Sequence, residues 1–181
     1  TRTPTPTATA TPTATATPMV LGPSQVISAT FVTQPPTLDG QFNDWRSNSS
    51  ALLNSTSAAA VRPTTVAPPG TADVSAQVWT AWDDAYLYVA ARVWDDAIVN
   101  DSADVWQDDE LEIALDGAHD GSFAGADDHQ ITINSNGRVT DRGNVYLTTI
   151  TPAIVILPDG YQIELALPRS LLQPLTWDSG T

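Results

Sequence analysis

Residues Ser75–Asp95 read SAQVWTAWDDAYLYVAARVWD, and this stretch decides the fold class. Its second half alternates: Leu87, Val89, Ala91 and Val93 face one way, Tyr86, Tyr88, Arg92 and Trp94 the other. That is the period-two pattern of a strand with one face on a core. Ser75–Trp82 is the companion strand, and Asp83-Asp84-Ala85 the tight turn between them, so the stretch is a hairpin.

Outward from the hairpin the same period returns. Gln25–Val32, Asp109–Asp116, His129–Ser135 and Tyr161–Leu167 alternate, and Tyr146–Ile150 and Ala153–Leu157 are short apolar runs. Pro35-Pro36, Asn136-Gly137 and Pro158-Asp159-Gly160 punctuate them with turn chemistry. Ser47–Ala72, rich in Ser, Thr, Ala and Pro, is expected to be a long surface excursion, and Pro168–Leu172 a helical turn. About seven or eight short strands without a long helix predict an all-β fold, an antiparallel β-sandwich of jelly-roll-like form, over residues 25–181. The last residues give no sign of closing a sheet, so the domain is expected to continue beyond Thr181.

Residues 1–24 are a different material. Thr-Pro and Thr-Ala repeat through Pro18 with nothing to bury, the composition of a disordered Thr/Pro/Ala linker or O-glycosylated stalk of a secreted multidomain protein. This predicts an extracellular or cell-surface location and neighbouring domains in the same chain. No signal peptide opens the sequence at Thr1, so the natural N-terminus is expected upstream.

The 181 residues carry 21 acidic and 7 basic side chains, a formal net charge of -14. Such a surface repels nucleic-acid phosphates and anionic headgroups, and no apolar run approaches the roughly 20 residues that span a bilayer. Neither nucleic acid nor membrane insertion is expected. Without cysteine, disulfides, thiolate metal sites and cysteine nucleophiles are excluded.

The binding candidates lie on the strands' polar faces. With Leu87, Val89, Leu111, Ile113, Ile131, Ile133, Ile163 and Leu165 turned inward, Arg92, Glu112, Gln130, Thr132, Asn134 and Glu164 are expected to share one polar patch. Such a patch hydrogen-bonds sugar hydroxyls while an aromatic covers the apolar ring face. Trp106, at a loop-to-strand junction among Gln107, Asp108 and Asp109, is that aromatic; Trp45, Trp79, Trp82, Trp94 and Tyr86 read as packing residues. A merely solvated face with cross-strand charge pairs explains the polar residues as well. The acidic loops suit calcium, though without EF-hand spacing, and the candidate ligands are Asp116, Asp120, Asp127 and Asp128. Glu112 and Glu164 are the one conceivable catalytic carboxylate pair; with no nucleophile elbow, phosphate loop or metal-hydrolase helix, catalysis is not expected.

Four blocks in order, Pro36-Thr37-Leu38-Asp39-Gly40 with Asp44-Trp45, Trp82–Val89, Trp106–Ile113 and Gly160–Pro168, resemble the signatures of family-nine carbohydrate-binding modules in the DOMON-like group. The resemblance implies a non-catalytic β-sandwich that binds poly- or oligosaccharide, usually attached to secreted polysaccharide-degrading enzymes, with calcium as a structural ion. It implies that Trp106 stacks on the sugar and Glu112 bonds its hydroxyls. The family's arginine two residues beyond the position of Gln130 is Thr132 here, and its second stacking tryptophan falls beyond Thr181. Haem, bound by some DOMON-like relatives, is not expected, because the one methionine is Met19 in the linker. The rival expectation is a structural or adhesion domain that kept the fold without a working sugar site.

Overall fold

The computed structural model describes residues 27–45, 50–53, 74–121, 125–142 and 145–175. The linker expected over residues 1–24, and the excursion expected over Ser47–Ala72 apart from residues 50–53, lie outside them.

Two sheets face each other. The first, sheet A, runs β1 (Thr30–Phe31), β3 (Val74–Trp82), β4 (Tyr86–Asp95), β10 (Gly160–Pro168), β9 (Ala153–Leu157), with β2 (Ser50–Leu53) also on β3. The second, sheet B, runs β5 (Glu110–Asp116), β6 (Asp128–Asn134), β7 (Val139–Asp141), β8 (Val145–Tyr146). Every pairing is antiparallel except β1 with β3. The expected β-sandwich is what forms, and the Ser75–Asp95 hairpin is its β3–β4 unit. Asp83 closes that hairpin, its Oδ1 accepting the Ala85 and Tyr86 N–H groups at 2.8 Å and its Oδ2 the Tyr88 hydroxyl at 2.7 Å.

Between the sheets lies the main core. Val89, Ala91, Val93, Tyr161, Ile163, Leu165 and Leu167 from sheet A meet Ile131, Ile133 and Val139 from sheet B, with Leu111, Ile113 and Leu115 packed against them. These are the odd-numbered members of alternating strands, which is why the period-two reading finds them. The even-numbered members point outward, away from the opposite sheet.

On sheet A that outward face is itself covered. Trp45, with Val32, Leu38 and Phe42, packs over Ala81, Tyr88 and Ala90. The covering segment is clipped to the sheet by one carboxylate: Glu164 accepts the Trp45 indole N–H at 2.6 Å and the Gly40 backbone N–H. Gly40 has φ +79° and its Cα lies against Val155, a close approach in a left-handed conformation that suits glycine.

The expected excursion contains a strand. Ser50–Leu53 pairs with β3, placing Ala51 opposite Val78 and Leu53 opposite Ala76. Four residues set in a serine- and alanine-rich run carry too little periodicity to declare themselves; the edge of β3 orders them.

Candidate functional site

The outward face of sheet B is polar and follows from register alone. Glu112 pairs with Thr132, Thr132 with Thr140, and Thr140 with Tyr146. Partners on neighbouring strands point to the same side, so these four side chains form one row from β5 to β8. Gln130 sits diagonally beside the row and donates to Glu112 Oε2 at 2.7 Å. Thr132 and Thr140 are buried, and the Thr140 hydroxyl has no protein partner among the described residues.

Trp106 lies in the turn that leads into β5 and is fastened to Asn134 in β6. It occupies the single 3₁₀ turn Val105–Gln107, in which Val105 is buried while Trp106 is 55% exposed. Asp108 fastens the turn, its Oδ1 accepting the Ser102 N–H at 2.9 Å and its Oδ2 the Asn134 carboxamide at 2.9 Å. The Ser102 N–H, with Asn134 and the nearby Arg138 charge, holds the Asp108 carboxyl below the usual range. Asn134 accepts the Arg138 N–H through its other end at 2.9 Å. Being fully buried, it positions the Trp106 turn and offers no surface of its own.

Arg138 completes the frame. Its guanidinium lies over the Tyr146 ring, 5.3 Å from the centroid, and donates to the Tyr146 hydroxyl, to Ala103 O at 2.8 Å and to Ser102 O at 3.3 Å. The loop leading into Trp106 and the ring of Tyr146 are thus tied by one side chain.

Trp106, Glu112, Gln130, Thr132 and Asn134 therefore come together on sheet B. Arg92 does not. It lies on sheet A, buried, donating to the Val93 and Tyr161 carbonyls and pairing with Asp159 at the β9–β10 turn, with Trp94 stacked 5.0 Å away. The expectation of one shared patch fails because alternation identifies a strand's outward face but not the sheet it belongs to. Glu164 is likewise on sheet A. Glu112 and Glu164 consequently sit on opposite outer faces of the sandwich and cannot flank one glycosidic bond, which ends the carboxylate-pair possibility.

Thr140, Arg138 and Tyr146 join the site without a local sequence pattern that marks them. The Asn136-Gly137 hairpin signal pairs β6 with β7, but as a two-residue loop it would set Ser135 opposite Arg138; the observed register, Ile133 opposite Val139 and Thr132 opposite Thr140, is one residue different. Nothing comparable marks the β7–β8 connection that brings Tyr146 to the row.

At the far end of β5 and the start of β6, carboxylate oxygens of Asp116, Asp127 and Asp128 lie within 4.8 Å of one another. Asp128 is 1% exposed and its Oδ1 is buried without a partner among the described residues, while its Oδ2 accepts the Gly125 N–H at 2.6 Å. Asp116 accepts from the Gly121 and Asp120 N–H groups at 2.9 and 3.2 Å, and these donors, that of Gly121 first, lower its pKa. Asp120 stands outside the cluster, exposed, and contributes its backbone. Arg142, 3.9 Å from Asp128, is the nearby cation. Three carboxylates converging on a buried, unpartnered oxygen fit a hard, oxygen-loving cation such as calcium.

A concavity of about 420 Å³, open to solvent, lies on sheet A between Gln41, Phe42, Asn43, Trp79 and Gln162.

The model of the carbohydrate family 9 binding domain-like family matches residues 45–179. The chain belongs to this family. As a family 9 domain it is a carbohydrate-binding, non-catalytic unit. It is 27% identical over 147 residues to the exoglucanase XynX of Acetivibrio thermocellus, a match covering 81% of this chain and 12% of that protein. Its fold is shared with a family 9 carbohydrate-binding module from Caldicellulosiruptor kristjanssonii in complex with cellotriose, at TM-score 0.60 and 24% identity, over 78% of this chain and 67% of that one. The glucose complex of a family 9 module from the same organism matches at TM-score 0.60 and 23% identity, over 79% and 70%. No helix among the described residues is long and apolar enough to cross a membrane.

Proposed function

We propose that the outward face of sheet B is where this family 9 domain takes its sugar, with Trp106 stacking on a pyranose ring and the Glu112–Gln130 pair bonding its hydroxyls. The observation that carries the reading is the exposure of Trp106, 55%, on a turn fastened through Asp108 and Asn134 to the sheet that carries the hydrogen-bonded Glu112 carboxylate and Gln130 carboxamide. An indole left in water at a pre-ordered turn is costly for the fold and favourable for a ligand. Gln130 both donates to Glu112 and has an acceptor oxygen, so the pair can meet vicinal hydroxyls from both sides.

A neutral glucan is the proposed ligand class. The similarity to an exoglucanase and to modules bound to cellotriose and glucose supports it, as does the chain's net charge of -14, which disfavours anionic polysaccharides. The larger protein is proposed to be an extracellular or surface polysaccharide-active one, brought to its substrate by this domain. The Thr/Pro repeat of residues 1–18 supports that context as a spacer.

Calcium at Asp116, Asp127 and Asp128 completes the reading. Bound there it would neutralise the clustered charge and pin the loop between β5 and β6; its role is structural.

Calorimetric titration of the protein with glucose and cello-oligosaccharides, against Trp106→Ala, tests the site. Saturable binding that falls by tenfold or more, about 1.4 kcal/mol, in the variant is expected. Equal binding by both proteins would remove Trp106 from the site.

A further inference from the structure

We propose that Tyr146 is a second stacking platform on the outward face of sheet B, so that the domain grips an extended neutral oligosaccharide laid across β5 to β8. The proposal rests on the reading of this face given above and adds to it the direction and length of the ligand.

The register places Tyr146 in the same row as Glu112, with Thr132 and Thr140 between them. Three interstrand spacings separate the ends of the row, about 14 Å, wider than one pyranose ring. The two residues between are short and buried, which leaves the contacts with a ligand to the two ends of the row. Tyr146 is 49% exposed although it is aromatic. Its ring is nevertheless held: Arg138 lies 5.3 Å from its centroid and donates to its hydroxyl. A ring already fixed loses little side-chain entropy when a sugar stacks on it.

Arg138 also bonds the carbonyls of Ser102 and Ala103, in the loop leading to Trp106. Movement of one aromatic relative to the other would break these bonds, so the platforms share one frame. The guanidinium is engaged by three oxygens and a ring, which leaves it a scaffold rather than an anion receptor. At the opposite end Glu112 would repel a uronate. A neutral chain is the occupant that both ends accept.

The test is calorimetric titration of the whole chain with glucose and with cellotriose, for wild type, Tyr146→Ala, Tyr146→Leu, Tyr146→Phe and Trp106→Ala. The wild type is expected to prefer cellotriose to glucose. Tyr146→Ala and Tyr146→Leu should shrink that preference about tenfold, while Tyr146→Phe, which keeps the ring, should retain it; the leucine variant preserves bulk on the edge strand should alanine unfold it. An unchanged preference in both variants, or equal wild-type affinity for the two sugars, overturns the second platform. If Trp106→Ala still weakens binding in that case, the Trp106 site survives. Absence of binding by wild type to either sugar overturns both.

Discussion

The Glu164 carboxylate accepts the indole N–H of Trp45 at 2.6 Å across 119 residues of sequence. It is fully buried, and its hydrogen-bond partners among the described residues are the Trp45 and Gly40 N–H groups. Through this pair and the Gly40 N–H, the segment before β2 is locked over the outer face of sheet A.

Burial raises the Glu164 pKa above its ordinary 4.5; the Gly40 and Trp45 donors offset part of this, and the Asp44 and Asp39 charges add to it. The folded protein therefore keeps a proton that the unfolded chain releases. Stability from this group is highest below about pH 4.5 and declines as pH rises through the raised value. Thermal unfolding midpoints followed upward from pH 4.5 should show that decline, and Glu164→Gln should flatten it. Asp109, also raised by burial, will leave a residual slope. An unaltered slope in Glu164→Gln would mean that the group titrates elsewhere.

Asn134 offers a test of positioning. Its carboxamide links Asp108 to the Arg138 backbone, so Asn134→Ala leaves buried groups short of partners and should cost about 1–3 kcal/mol of stability. Sugar affinity should fall as well, although the side chain is buried beneath the ligand's reach. Denaturant unfolding and titration on the same variant check the two effects; full affinity with reduced stability would show that the Trp106 turn holds its shape without the clip.

The Asp116, Asp127 and Asp128 cluster predicts a calcium-dependent stability. Saturating calcium at about 100 times its dissociation constant should add about 2.7 kcal/mol, reversed by chelator. Asp128→Asn should abolish the increment, since it alters the buried oxygen that lacks a protein partner. A thermal midpoint indifferent to calcium in wild type would exclude the ion from this cluster.

Much of this was legible in the chain. Alternation identifies the inward sets Leu87–Val93, Ile131–Ile133 and Ile163–Leu165, because one buried face per strand leaves a period of two. The exposure of Trp106 follows from its acidic, polar neighbours. What alternation cannot carry is long-range pairing: Arg92 and Glu112 have equivalent local patterns yet belong to different sheets. Trp45 reads as a packing residue, but its partner Glu164 is set by a contact 119 residues away. Tyr146 joins the outward face of sheet B through two pairings, β6 with β7 and β7 with β8, of which the sequence signals the first.

The indole N–H resonances of the six tryptophans test the central claim most directly. In a nuclear magnetic resonance titration with cellotriose, the account predicts that the Trp106 Nε1–H signal shifts progressively to saturation while that of buried Trp45 stays in place. A saturable shift of Trp79, in the sheet A concavity, with Trp106 unmoved would contradict it.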